Sequence, residues 1–345
     1  MKNFFFVTIF ILLNKVIFAI TGISETPFTD YKFDAKECKV ITHHKSRILI
    51  PSYTFYLDGK LYEGEVNLKY REFTDQLDIV LNNIPMNYAA NDKTHVLESG
   101  GMFELYAYGN GKLLSFANDK KVSVQLATKF DIAGGETFKL NPTTKNWEKK
   151  TLFANVADAN VQLPIDKKDM WNDNLWQDEV GQSDEVYMDT SKDLSGKMAV
   201  VRLYSSTSNN AEEMREQAFK TMNIDEMGIY NCDKILDDKT ISLAVEFNLN
   251  NYNKQLNSII YVVYKNRNAV ISYFPEQLKT NFKLLANEEF TIFSVAKDGK
   301  IAVVDKTFLA QFDVTKFKNK TVKMPMKVVL NTPTSKKELA MLTGL

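Results

Sequence analysis

The sequence predicts a mainly β protein, in which an N-terminal β-sandwich is followed by an α+β domain. Two observations predict the sandwich: short runs of alternating apolar residues, and the pairs Asp58-Gly59 and Asn110-Gly111 between such runs. Both pairs favour hairpin turns, because Gly accepts the positive φ that a tight turn requires. Five or more short strands separated by turn signals are typical of a sandwich, here of Ig-like or ZU5-like type.

The stretch from Arg47 to Leu126 holds the main strands of this sandwich. Phe73, Leu77, Val80 and Leu81 recur at helical spacing and predict a short helix within 73–83, which ends before Pro85. Further strands are expected at 94–97, 102–108 and 121–126. The side chains expected inside the sandwich are Ile48, Ile50, Val66, Leu68 and Met102.

The second domain is expected to mix strands with a few helices. Strands are predicted at 200–204, 228–230, 241–249, 259–264, 269–274, 290–296, 300–304 and 322–330. Helices are predicted at 210–222, where Met214, Ala218 and Met222 share one face, and from Pro275 to Leu285. Asp305 or Thr307 is expected to cap another short helix that runs through Phe312.

The N-terminus has the pattern of a signal peptide. Lys2 is followed by an apolar stretch from Phe4 to Leu13, and Ala19 offers a small residue for cleavage. The predicted organisation is a signal peptide at 1–19, a β-sandwich domain at 20–150, an acidic linker at 151–197 and an α+β domain at 198–345. No transmembrane span is expected after removal of the signal, and the apolar stretch is not followed by the acceptor Cys of a lipoprotein.

Composition narrows the function classes. The chain of 345 residues has 43 basic and 43 acidic side chains. This balance disfavours a nucleic-acid partner. Neither a Gly-x-Gly-x-x-Gly motif nor a P-loop occurs, so no nucleotide site and no other cofactor is predicted.

The acidic linker carries two tryptophans. Between Asp166 and Asp193 there are nine acidic side chains and three lysines, with Trp171 and Trp176 among them. One interpretation is a solvated inter-domain segment. The other is a ligand-contact site for a sugar or Ca²⁺, although the segment lacks the Gly of an EF-hand loop.

The two cysteines leave another alternative open. Cys38 and Cys232 are 194 positions apart. In an oxidising compartment they could form a disulfide. The alternative is that both are separately buried thiols.

The search for catalytic residues gives no recognisable motif. His43, His44 and His95 are too few for a histidine-rich metal site, and Ser99, His95 and Asp92 lack the Gly-x-Ser-x-Gly elbow of a hydrolase. Asp75 and Asp78 lie one helical turn apart, which fits a carboxylate pair as well as an ordinary polar helix face. Six tyrosines of the sandwich could line a sheet face: Tyr53, Tyr56, Tyr62, Tyr70, Tyr106 and Tyr108. No catalytic, cofactor-binding or metal-binding residue is therefore predicted.

Several motifs resemble those of exported envelope proteins of Bacteroidetes bacteria. The matching segments are Arg47-Ile48-Leu49-Ile50-Pro51, Lys69-Tyr70-Arg71-Glu72-Phe73, Ile84-Pro85-Met86 and Glu98-Ser99-Gly100-Gly101-Met102-Phe103-Glu104. Trp147 and the segment 228–233 are similar to later parts of the same proteins. The chain departs from the family at Asn83, where Gly is usual, and at Gly100, where Ala is usual. The resemblance implies a fold and an exported location, and it implies no particular activity.

Two functions of different classes remain. The first is a non-enzymatic binding or assembly module that contacts an envelope protein or a glycan. The second is a secreted hydrolase that attacks envelope polymers or glycans with carboxylates as acid and base. Both place the chain in the periplasm or outside the cell, with or without association with the outer membrane.

Overall fold

The computed structural model describes residues 23–90, 93–128, 130, 132, 135–150, 186–189, 202–205, 218–236, 240–249, 258–274, 277, 278, 282–296, 299–329 and 333–345. Strands predominate among these residues and the helices are short, which confirms the predicted mainly β fold. The predicted signal peptide and most of the acidic linker lie outside the described residues.

The strands up to residue 150 are β1 (Thr29–Asp34), β2 (Lys39–His43), β3 (Ser46–Ile50), β4 (Phe55–Leu57), β5 (Lys60–Leu61), β6 (Glu65–Phe73), β7 (Asn87–Ala90), β8 (Lys93–Gly109), β9 (Lys112–Leu113), β10 (Ser115–Phe116), β11 (Val122–Thr128), β12 (Glu136–Leu140) and β13 (Trp147–Lys150). The later strands are β14 (Val186–Asp189), β15 (Arg202–Ser205), β16 (Ala218–Ile224), β17 (Gly228–Ile235), β18 (Thr240–Leu249), β19 (Ser258–Tyr264), β20 (Val270–Tyr273), β21 (Phe282–Leu285), β22 (Phe290–Ala296), β23 (Ile301–Val304) and β24 (Thr321–Val328). The helices are α1 (Gln76–Leu81), α2 (Lys306–Gln311) and α3 (Lys336–Thr343), with a 3₁₀ turn at Val314–Phe317.

Two sheets face each other and form the predicted sandwich. The larger has the strand order β1-β6-β8-β17-β12-β13, with β7 and β9 also paired to β8, and the smaller has the order β16-β11-β3-β2. The buried cluster between them contains Ile48, Ile50, Val66 and Leu68, as predicted. The small sheet β10-β4-β5 adds Phe55 and Phe116 to the same core.

A second buried cluster joins the larger sheet to a seven-stranded sheet of order β20-β19-β22-β23-β24-β18-β21. Successive side chains of a strand point to opposite faces, so Phe103 and Leu105 enter the sandwich core whereas Met102 enters the second cluster. The expectation that Met102 packs inside the sandwich is therefore wrong about the face, although the side chain is buried.

The seven-stranded sheet is buried on its other face as well. There a third cluster includes Ile260 and Val262, and it is covered by the partly buried Phe308 of α2 and Phe317 of the 3₁₀ turn. Of the two caps predicted for α2, Asp305 is the one observed, and it accepts a hydrogen bond from Thr307 N at 2.9 Å. The three largest sheets of the described residues are thus stacked, with α2 and the 3₁₀ turn on the outer side of the third. Leu77 of α1 and Leu339 of α3 belong instead to the second cluster.

Residues 218–235 differ most from the sequence-based expectation. The sequence places them in the second domain, but β16 completes the smaller sheet beside β11, and β17 lies between β8 and β12 in the larger sheet. The part of the predicted helix 210–222 that is described is wrong, since 218–224 form β16. Met222 and Ile224 alternate into the sandwich core, so the two-residue period decides the conformation.

Two further elements differ from the prediction. Residues 282–285, expected at the end of a helix, form β21 and pair with β18. The strands expected at 94–97 and 102–108 are parts of one long strand, β8, with an irregularity opposite Asn231 and Asp233.

Candidate functional site

One end of the sandwich is built from tight turns, and we call it the hairpin end. It comprises the turn at 34–37 with the start of β2 up to Val40, the segment 51–64 with the β4–β5 hairpin, and the β8–β9 hairpin at 109–113. Ala35 links these segments: its N–H donates to Gly64 O at 3.0 Å, and its carbonyl accepts from Tyr53 N at 2.9 Å.

Local sequence determines the two hairpins. Asp58 and Gly59 have φ values of 51° and 79°, and Asn110 and Gly111 have φ values of 51° and 75°. Positive φ at both central residues matches the strand twist of a two-residue hairpin, which confirms the predicted turns. Lys112 Nζ lies 2.9 Å from Asp58 Oδ2 and connects the hairpins. Because both side chains are solvated, this ion pair orients the loops more than it stabilises the fold.

The hairpin end carries most of the exposed large apolar side chains. In the described part of the chain six such side chains are exposed, and four of them lie here: Val40 at 45%, Tyr53 at 43%, Leu61 at 44% and Leu113 at 55%. Val40 is included because its neighbour Lys39 pairs with Ile50, immediately before this segment. Loops held by a rigid sheet commonly carry binding residues, and exposed apolar groups that concentrate in one region mark contact surfaces. The hairpin end is therefore the candidate interaction surface.

A polar cluster occupies the other end of the sandwich. His43 lies at the end of β2, with its Nδ1 atom 2.7 Å from the Tyr31 hydroxyl. Its ring meets the Tyr70 ring edge-on at 5.0 Å, and the Tyr70 hydroxyl donates to Glu72 Oε1 at 2.8 Å. Both His43 and Glu72 are only 8% exposed. His43 therefore occupies a buried position at this end of the sandwich.

Burial dominates the ionisation of this cluster. It lowers the pKa of His43 to about 4, with a smaller contribution from neighbouring His44. It also raises the pKa of Glu72, an effect that hydrogen bonds from Ser46 and Tyr70 oppose. Both shifts favour the uncharged form, as expected for groups taken out of water.

The carboxylates Asp75 and Asp78 form a structural clamp. Asp75 caps α1 by accepting hydrogen bonds from Leu77 N and Asp78 N. Lys336 of α3 places its Nζ 2.8 Å from Asp75 Oδ2 and 2.6 Å from Asp78 Oδ1. Asp78 also accepts a hydrogen bond from Thr26 Oγ1 at 3.1 Å. Through these contacts the two carboxylates hold α1, α3 and the segment before β1 together, which is a structural role.

Ser99 and His95 are not brought together as a hydrolase pair. The Ser99 hydroxyl is buried and donates to Asn231 Oδ1 at 2.6 Å, whereas the His95 ring packs against Tyr88 at 5.9 Å. Asp92, Trp171 and Trp176 lie outside the described residues. Among the six tyrosines, Tyr62 and Tyr70 are buried, Tyr53 is exposed, and the others are half-buried.

The two cysteines are not joined by a disulfide. Cys38 is exposed in the turn before β2, whereas Cys232 is buried in the sandwich core. The alternative in which both thiols are buried is therefore also wrong for Cys38.

Comparison with known proteins identifies no similar protein. No family model, curated protein or solved structure matches the chain. The described residues contain no group of three or more His, Cys, Asp or Glu side chains arranged to hold a metal ion. None of the described helices has the length and apolar character needed to cross a membrane.

Sequence reasoning missed the exposed apolar residues Val40, Leu61 and Leu113 and the His43–Glu72 cluster. Leu61 and Leu113 each follow a hairpin dipeptide by two residues, a signal that indicates their position at a turn. Exposure itself depends on which elements cover a strand, so it could not be read from the local pattern. In the sequence, Glu72 stands out only as part of the 69–73 motif. Its contact with Tyr70, and the contact of Tyr70 with His43, depend on how the strands are arranged in the sandwich, which no local pattern shows.

Proposed function

We propose that this chain is an exported cell-envelope protein that works as a non-enzymatic binding or assembly module. The observation that carries the proposal is the hairpin end, where two hairpins joined by Lys112 and Asp58 hold Leu61 and Leu113 exposed on a rigid sandwich. Apolar side chains fixed in this way lose little conformational entropy when a partner covers them. The partner belongs to the envelope and is a protein or a glycan.

Export is supported by the N-terminal signal pattern and by the resemblance to Bacteroidetes envelope proteins. Cleavage after Ala19 gives a mature N-terminus at Ile20. Mass spectrometry of the protein from its native host tests this step, because an intact segment 1–19 contradicts it.

Site-specific photo-crosslinking tests the contact surface. A crosslinking amino acid at Leu113 is compared in intact cells with the same group at Phe274, which is exposed at 46% outside the hairpin end. We expect a discrete crosslinked species from position 113 that is lost when Leu61→Ser is added, and none from position 274. Equal crosslinking at both positions contradicts the assignment of the hairpin end.

A parallel experiment distinguishes the two partner classes. The mature protein is sedimented with purified envelope polysaccharide, and Tyr53→Ser is compared with the unsubstituted protein. A glycan partner predicts co-sedimentation that Tyr53→Ser weakens, because sugars stack on exposed aromatic rings. A protein partner predicts a crosslink at position 113 without co-sedimentation.

A carboxylate-dependent hydrolase is the second candidate function. It is favoured by the Glu72 carboxyl group, which has a raised pKa and lies in a cluster with His43 and Tyr70. Raised carboxyl pKa values are typical of catalytic acids. It ranks second because glycoside hydrolysis generally uses two carboxyl groups, and this cluster supplies one. Release of soluble sugars from envelope polymers that is abolished by Glu72→Gln is the result that would favour it.

A further inference from the structure

The two edge strands of the seven-stranded sheet meet at a seam. β20 and β21 stand at opposite ends of the strand order, and no backbone ladder joins them in the described residues. Instead, the Tyr273 hydroxyl of β20 donates to Lys283 O of β21 at 2.8 Å and accepts from Lys283 N at 2.9 Å. A side chain therefore holds the two edges together and leaves space beside the seam.

The β7–β8 hairpin of the larger sheet lies over this seam. Asn87 of β7 pairs with Val96 of β8, and Val96 belongs to the buried cluster that also contains Tyr273. Lys283 reaches the same hairpin, because its Nζ donates a long hydrogen bond to Thr94 O at 3.4 Å. The hairpin and the two edge strands line one cleft of about 310 Å³, part of which is open to solvent.

The cleft is rich in polar groups. Five of its lining residues carry an amide, a hydroxyl or an ammonium group and are half-buried or exposed: Asn87, Thr94, Ser272, Gln277 and Lys283. Gln277 Oε1 accepts a hydrogen bond from Phe274 N at 2.8 Å, which leaves its Nε2 group as a donor. Amides and hydroxyls can together donate and accept, as the hydroxyl groups of a sugar require.

Lys283 gives the cleft a positive charge that its lining does not balance. None of the described lining residues is an Asp or a Glu. Among the described residues, the bond to Thr94 O is the only polar contact of Lys283 Nζ, although an ammonium group has three N–H donors. The cleft therefore favours a ligand that carries a negative charge.

We propose that this cleft binds an acidic sugar of the uronic acid class, with the carboxylate of the sugar on Lys283. One carboxylate balances the single ammonium, whereas a phosphate group carries more than one negative charge. The space lies at the lower end of the range of ligand pockets, about 300 to 1,000 Å³, and so suits one sugar ring. The cleft and the hairpin end lie at opposite ends of β8, so the proposal does not depend on the partner of the hairpin end.

Isothermal titration calorimetry of the full-length mature chain tests the site. D-glucuronate is compared with D-glucose, acetate and inorganic phosphate at one low ionic strength, so that charge screening is small and constant. We expect glucuronate to bind, and each of the other three to bind at least about tenfold more weakly. Glucose lacks the carboxylate, and acetate lacks the ring.

Lys283→Gln removes the charge and keeps the backbone bonds to Tyr273, and an unchanged Tm checks that the variant folds. It should weaken glucuronate binding by about 10- to 100-fold, as expected for loss of a hydrogen bond to a charged group. Ser272→Ala should weaken binding a few-fold. Lys323→Gln is the matched control, because Lys323 is an exposed lysine of β24 outside the cleft, and it should leave binding unchanged.

Three outcomes overturn the proposal. Glucuronate fails to bind, or it binds equally well to Lys283→Gln and to the unsubstituted protein. In the third outcome, acetate or phosphate binds as tightly as glucuronate, which would show that the cleft recognises an anion and not an acidic sugar. Crosslinking from position 113 is measured separately, so failure here is distinguishable from failure of the hairpin end as a contact surface.

Discussion

Replacement of His43 by Phe should remove a large part of the acid sensitivity of the fold. His43 is buried at the end of the sandwich, and its pKa falls from the ordinary value of 6.5 to about 4. A folded-state pKa below the unfolded value means that the unfolded chain binds a proton more readily. The stability from this site is present above pH 6.5 and is lost as the pH falls toward 4.

The size of the effect follows from the two pKa values. The fall of the His43 pKa from 6.5 to about 4 corresponds to about 3 kcal/mol of unfolding free energy lost between neutral pH and pH 4. Phe cannot take up a proton, but it retains a ring that can pack against Tyr70. Loss of the acceptor for the Tyr31 hydroxyl adds a constant offset and does not change the slope with pH.

Urea unfolding at pH 7.5, 6.5, 5.5 and 4.5 measures this effect. The free energy of unfolding of the unsubstituted protein minus that of His43→Phe should fall by about 2 to 3 kcal/mol across this range. Val40→Thr is the matched control, because Val40 is an exposed side chain of the same strand that carries no ionisable group, so its substitution should leave the difference nearly constant. Glu72 acts with the opposite sign, since its raised pKa gives stability that is lost as the pH rises, so the comparison between proteins is needed. A difference that stays constant within about 0.5 kcal/mol from pH 7.5 to 4.5 would refute the reasoning.

Three other substitutions test the packing. Ile50→Ala removes a fully buried side chain from the sandwich core and should cost about 2 to 5 kcal/mol in chemical denaturation; an unchanged midpoint would place the wrong face inside. Arg71→Ala leaves Glu104 buried without the guanidinium that lies 2.6 Å away, so the free energy of unfolding should fall by about 3 to 5 kcal/mol. Lys32→Ala, which removes a solvated ion pair, is the control and should cost less than about 1 kcal/mol. Gly111→Ala meets no neighbouring atom but must adopt a φ of 75°, so a cost of about 1 kcal/mol by thermal unfolding measures the strain of the hairpin alone.

Several elements could be predicted from the sequence because they depend on short-range interactions. The hairpins at Asp58-Gly59 and Asn110-Gly111, the Asp305 cap and the strand at 290–296 all depend on residues within a few positions of one another. Residues 218–224 were misread because Met222 fits a helical as well as a strand pattern. The strand conformation is favoured because β16 pairs with the edge of β11 over seven residues.

The candidate sites could be predicted only in part. Asp75 and Asp78 are recognisable as a pair in the sequence. Their contact with Lys336 is not, because Lys336 follows Asp78 by 258 positions. The partners of His43 are spread over β1 and β6, and the backbones of Asp233 and Asn268 both adjoin Ser99 of β8. None of these contacts has a local signal, because sheet register and the packing of one sheet on another set them.

Local sequence was enough to predict the mainly β class, the tight turns, a helix cap at Asp305 or Thr307 and four residues of the sandwich core. These follow from backbone preferences and from the two-residue period of a strand, which act within one element. Long-range packing, in contrast, places residues 218–235 in the sandwich, turns Met102 toward the seven-stranded sheet and buries His43 and Asp233. The physical reason is that burial and charge pairing depend on which surfaces meet, and in a stack of sheets those surfaces come from strands far apart in the chain.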